Sequence, residues 1–203
     1  MSIATYSELQ TAVGNWLNRG DLSSYIPDFI TLGENRIYRE LRIRTMETAL
    51  SSAISSGVVA LPSDYIGLKS AYVDGSPTQW LERSSVESIY EKYPTRSSNG
   101  KPKFIAREGS NFIFGPYPDS AYTIKGIYYK RLTTLSVSNT TNWFTTNAPG
   151  ILLYASLLAA EPFIKNDPRL ILWQGEYDKE RAGIQFEDDR EGLSGSSLRS
   201  RTG

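Results

Sequence analysis

Residues 21–47 carry the pattern that most restricts what this chain can become. Ile26, Phe29, Ile30, Gly33, Ile37 and Leu41 recur at steps of three and four, so an α-helix through them presents one continuous apolar face that demands a core. Arg36, Arg39 and Arg42 form a second row, with Arg44 just beyond. That cationic row is free for nucleic acid, for a neighbouring subunit or for water. Pairs such as Arg36 with Glu40 would be worth only about 0.2–0.5 kcal/mol each on a solvated face.

A second helix precedes it. Thr5 and Glu8 have capping-box spacing, and Leu9, Val13, Trp16 and Leu17 follow at helical period up to Asn18-Arg19-Gly20. Pro27 suits the first turn of the arginine-bearing helix, with Leu22 as the other possible start. The two helices are expected to pack as an antiparallel pair. From Thr45 the period changes, and turn residues divide short β-favouring runs. Asp74-Gly75 between 66–73 and 77–81 is a hairpin signal. Ser84, with Glu87 three residues on, caps a short helix near 85–92 that stops at Tyr93-Pro94. Runs at 103–107, 112–114 and 122–132, joined by short turns, predict an antiparallel meander. A nearly all-apolar helix over 147–160 should be central. Pro162 ends or kinks it, and Asp167-Pro168 caps and opens a last helix with Leu170, Trp173, Tyr177 and Ile184 on its buried face.

The fold class is therefore α+β: an N-terminal helix pair over 1–44 and C-terminal helices over 142–187 packed as a bundle, around a central antiparallel β region over 45–141. Residues 188–203 turn to Asp, Arg, Ser and Gly, a composition that cannot bury enough apolar surface to order itself alone, so a flexible C-terminal tail is expected.

Composition closes off much chemistry. The 203 residues contain no cysteine and no histidine, which removes disulfides, thiolate nucleophiles, the commonest general base and the commonest transition-metal ligands. No cofactor, metal or catalytic residue is expected. The 22 basic and 22 acidic side chains cancel, so affinity for DNA would need a local patch. Met1 to Glu8 shows no basic leader before an apolar run, and nowhere do roughly 18 apolar residues run together; a soluble protein made in a cytoplasm is expected. Asp64, Asp74 and Asp119 could act as a carboxylate pair on a glycan, and Trp80, Trp143 and Trp173 as a sugar platform, but nothing in the spacing sets two carboxylates the necessary distance apart. Core and interface anchoring is the plainer use of the tryptophans. The loop 115–119 lacks the glycines and following helix of a phosphate cradle.

Taken in order, several segments resemble the head-to-tail adaptor, or connector, proteins of tailed bacteriophages: YSELQ at 6–10 with Trp16-Leu17, IPDFI at 26–30, RIYRELR at 36–42 with Met46-Glu47, LPSDY at 61–65, GPYP at 115–118, NAP at 147–149, LYA at 153–155, Asp167-Pro168, Trp173 and Tyr177. Gly33 and Gly175 depart from it, standing where alanine or a polar helix former is expected. The resemblance implies a structural protein of the virion neck, assembled in the host cytoplasm as a ring of usually twelve copies beneath the portal. Genomic DNA would pass through the lumen unread, and tail or nozzle proteins would attach below. Within that frame Arg36, Arg39 and Arg42 are candidate inter-subunit contacts, and Arg190, Leu193, Leu198, Arg199 and Arg201 in the tail are candidate portal-binding residues. A carbohydrate-binding or glycan-cleaving virion component using the β region is the alternative.

Overall fold

The computed structural model describes residues 3–95, 97, 99–164 and 167–193, and in them the change of period at Thr45 marks a change of architecture. Along the chain lie α1 (Tyr6–Leu17), a 3₁₀ turn (Gly20–Tyr25), α2 (Ile26–Glu40), β1 (Glu47–Ala53), β2 (Val58–Ala60), β3 (Tyr65–Val73), β4 (Gln79–Trp80), β5 (Glu82–Arg83) and α3 (Val86–Lys92). There follow β6 (Asn99–Gly100), β7 (Phe104–Glu108), β8 (Asn111–Gly115), β9 (Tyr117–Pro118), β10 (Thr123–Lys130), α4 (Trp143–Asn147), α5 (Pro149–Ala159), α6 (Glu161–Ile164) and α7 (Leu170–Leu193). The chain divides into a helical unit, Met1–Thr45 with Leu132–Gly203, and a β unit, Met46–Arg131.

In the helical unit, local chemistry sets the ends of α1. The Thr5 hydroxyl accepts from the Glu8 N–H, the Glu8 carboxylate accepts from the Thr5 and Ala4 N–H groups, and left-handed Asn18 closes the C-terminus. Every member of the apolar row of α2 is buried. The central helix is α5, which packs against α1, α2, α4 and α7. Gly33 lets α2 reach it: a Cβ there would sit 2.9 Å from the Ser156 nitrogen and 3.0 Å from the Ala155 carbonyl carbon.

In the C-terminal part of the chain three helix boundaries differ from the sequence reading. The apolar helix is two helices, because Asn142 caps α4 at Phe144 and Thr145 while Pro149 forces Ala148 out of helical geometry (φ −145°, ψ 57°). Asp167 accepts from the Arg169 N–H at 2.9 Å, but α7 starts at Leu170, so Pro168 lies in the turn before it. At its far end α7 runs on through Leu193 instead of stopping at Glu187. The Arg44 N–H donates to Asp188 Oδ1 at 2.9 Å, and its guanidinium reaches Glu191 Oε2 at 2.7 Å, ties that hold a polar segment which composition alone would leave unstructured. Residues 194–203, the larger part of the expected tail, lie outside the described residues.

The β unit has two four-stranded sheets, ordered β1-β10-β3-β4 and β2-β8-β7-β5, and a two-stranded pairing of β6 with β9. Pairings are antiparallel except β5–β7 and β6–β9. Leu50, Val73, Ile124 and Tyr128 of the first sheet share one apolar cluster with Val59, Ile105, Phe112 and Phe114 of the second. The expected meander is not formed. Strands β7 and β8 make their hairpin, but β10 leaves it and inserts between β1 and β3. Pro116 and Pro118 lie between β8 and β10 and lack the N–H groups needed to continue the ladder. The Asp74-Gly75 hairpin joins β3 to β4 as expected, and Ser85, one residue beyond the expected Ser84, caps α3.

Candidate functional site

A step of three residues leaves a 3.6-residue helix about 60° short of a full turn, so the arginine row drifts around α2 and its members meet different surroundings. Arg36 turns toward α7. Its Nε donates to Glu40 Oε1 at 3.0 Å, its terminal nitrogen donates to Gln174 Oε1 at 3.0 Å, and its guanidinium lies 4.3 Å from the centre of the Tyr177 ring. Arg39 is exposed and makes no ion pair with another described residue. Arg42, beyond the helix end, folds back to donate to the Tyr38 and Leu41 carbonyls at 2.5 and 2.6 Å, satisfying oxygens left open at the C-terminus. The three arginines thus serve three separate places, of which Arg39 alone faces solvent unpaired among the described residues.

What Arg36 builds is a polar seam between two parallel helices. Arg36 meets Gln174, Glu40 meets Tyr177, and Arg44 meets Asp188, so α2 and α7 run in the same direction. Tyr177 is fully buried and its hydroxyl donates to Glu40 Oε2 at 2.9 Å. Burial first, and the hydrogen bond to Glu40 second, push its pKa well above the ordinary tyrosine value. The seam continues through Gln174 to Asp178 (2.8 Å) and from Arg181 to Glu40 (3.8 Å) and Asp178 (3.5 Å). Arg181 Nε is buried without a hydrogen-bond partner among the described residues. Charges alternate along this line, and its shifted group holds its proton more firmly; the arrangement joins helices.

Among the described residues, the other sequence candidates are brought to no common place. Arg190 is exposed on α7 and Leu193 is the last residue of that helix, while Leu198, Arg199 and Arg201 lie outside the described residues. Asp64 accepts from the Tyr128 hydroxyl, Asp74 pairs with Lys125 at 2.7 Å, and Asp119 accepts from the Tyr122 hydroxyl, so each carboxylate is engaged with a partner of another kind. Trp173 is buried beneath the Arg169 guanidinium, Trp143 meets Phe144 edge-on, and Trp80 is 62% exposed beside Tyr72. A cleft of about 210 Å³ in the β unit is lined by Tyr90, Tyr93 and Tyr117, but its carboxylate, Glu108, already takes the Tyr90 hydroxyl at 2.8 Å. Glu108 is the one carboxylate among the described lining residues, so they do not supply the second acid of a glycosidase pair. Among the described residues no cluster of acidic side chains is placed to hold a metal.

Sequence reading missed several of the structural polar residues. Glu34, 1% exposed, accepts from the Leu135 N–H and from Asn142 Nδ2, fixing the segment that leads into α4. Arg169 donates to the Trp16 carbonyl at the end of α1. Their partners lie a hundred residues or more away in the chain, and a lone glutamate on an otherwise apolar face was the sole available signal.

The family model for the SU10 adaptor protein matches residues 4–201. The chain belongs to this family of phage head-to-tail adaptors. The match takes in both units of the adaptor, from the capping box of α1 to beyond the end of α7. No curated protein matches the adaptor at a significant level. Among the described residues no helix of the adaptor is long and apolar enough to cross a membrane.

Proposed function

We propose that the adaptor is a non-enzymatic virion component that closes into a ring, on the order of twelve copies, between the portal and the tail, with DNA passing through its lumen. The observation that carries this is the family match over residues 4–201. A set of polar side chains engaged in holding helices together, and no histidine or cysteine, support the same reading. Zero net charge supports passage of DNA without sequence-specific binding. Identical subunits in a ring use heterologous contacts, so each copy must offer two different faces. On α2 the available contact is Arg39; Arg36 and Arg42 shape the seam and the helix end that present it.

The portal contact is assigned to the end of α7 and the residues beyond it, with Arg190, Leu193, Leu198, Arg199 and Arg201 as its members. Deleting residues 194–203 leaves Asp188 and Glu191 in place to hold α7 through Arg44. The truncated adaptor should keep its thermal transition and lose binding to purified portal in a pull-down. Undiminished portal binding by the truncated chain would refute the docking role.

A further inference from the structure

A cleft of about 230 Å³ beside the last turns of α7 has the lining a cationic side chain needs. The buried Ile43, Ala148 and Ile184 make its apolar part, and Trp143 adds an indole. The polar groups around it are acceptors. Asn147 donates its Nδ2 to the Trp143 carbonyl at 3.0 Å, so the amide oxygen is the end left over. Asp188 and Glu191 share Arg44, whereas Glu187 is exposed and makes no ion pair with another described residue. A guanidinium matches such a lining: its alkyl stem covers apolar surface, its plane stacks on an indole and its edge donates to a carboxylate.

The helical period says where that cation can come from. On α7, Gln174 and Asp178 belong to the seam with α2. Glu187 lies thirteen residues beyond the first and nine beyond the second, which places it roughly 140° and 180° round the helix from them, on the side away from α2. On α2, Arg39 is roughly 60° round from the seam residue Arg36 and 120° from Gly33, which faces α5. It therefore points out of the bundle on the side of Asp178, away from Glu187. A ring on the order of twelve copies turns each by about 30°, so its two contact faces must look almost opposite ways. Among the other described arginines of the helical unit, Arg19, Arg36, Arg42, Arg44, Arg169 and Arg181 are engaged within the chain. Arg190 is only three residues past Glu187 on the same helix. Arg39 is exposed, free of ion pairs among the described residues, and on the far side.

We infer that Arg39 of one adaptor enters this cleft on the next, pairing with Glu187 and lying against Trp143, and that this is the repeating contact of the ring. The inference rests on the proposed ring and names its two faces. Glu40 is level with Tyr177, so the cleft at Glu187 lies roughly 15 Å further along the parallel helices than Arg39. A rotation keeps height along its own axis, so the helices stand inclined to the axis of the ring.

A double-substitution cycle tests the pairing. Full-length wild type, Arg39→Ala, Glu187→Gln and the double variant, all changed at exposed positions, are titrated alone and on purified portal. Mass photometry reads the ring and thermal melts read the fold. Each single variant should keep its melting transition and need about tenfold more protein for half-assembly, and the double variant no more than either single one. Rings unimpaired in both single variants, or two losses that simply multiply in the double variant, overturn the inference and leave the ring standing. A loss confined to one single variant gives that residue a different partner, such as the tail of a neighbouring copy for Glu187, and overturns the pairing in the same way. Wild-type adaptor that forms no ring under either condition overturns the ring reading, and this contact with it.

Discussion

Tyr177 shows how one buried hydroxyl makes the helical unit sensitive to alkali. Its proton is held by burial and by Glu40, so its pKa in the folded chain lies above that of the unfolded chain, roughly 10. A group whose pKa is raised by folding stabilises fully below the unfolded value and loses that contribution as pH climbs toward the folded one. Thermal melts from pH 8 upward should therefore show the transition falling past roughly pH 10, and Tyr177→Phe should flatten part of that fall. At pH 7 the same substitution should cost about 1.5–3 kcal/mol, the range for a hydrogen bond to a charged group. An identical alkaline decline in both proteins would remove Tyr177 from the account. Two glycines give opposite expectations from the same chemical change. Gly175 has open space around its missing Cβ, so Gly175→Ala should stabilise the chain by about 0.5–1 kcal/mol through helix propensity alone. Gly33 faces α5 backbone at 2.9 Å, so Gly33→Ala must push two helices apart and should destabilise by about 1–3 kcal/mol in a urea titration.

At the scale of elements, what the sequence made legible was what depends on near neighbours. The capping box of α1, the apolar row of α2 and the β3–β4 turn arise from residues within a few positions of each other, and they stand where period and capping chemistry place them. Strand β10 was readable as a strand but not in its pairing, because its partners β1 and β3 precede it by some fifty residues or more and alternation along a strand does not name its neighbour. The seam was hidden for the same reason. Arg36 and Gln174 are 138 residues apart, and an arginine on a helix surface looks alike whether or not another helix arrives to meet it. The last turns of α7 are tied to Arg44, 144 residues before Asp188, a partner that composition does not reveal. Arg44→Ala should accordingly speed amide exchange over residues 184–193, while α1 and α5 stay protected. Unchanged exchange there would mean that α7 holds its last turns without the Arg44 pairs.

For the whole molecule, the division of labour runs between a helical unit knit by apolar packing and one polar seam, and a β unit built from two sheets on a shared core. The helical unit carries both proposed contacts, Arg39 of α2 toward a neighbouring copy and the C-terminal end of α7 toward the portal. The β unit leaves Trp80 exposed beside Tyr72. On the proposed reading, in which DNA only passes through the ring, a chain of zero net charge should show weak DNA binding that salt changes little. The account as a whole turns on assembly against the portal, and a cryo-EM reconstruction of purified portal mixed with full-length adaptor measures that directly. It should show a closed ring of adaptors seated on the portal, with an open lumen and the chain end beyond Leu193 against portal density. Bare portal rings beside unbound monomers would contradict it.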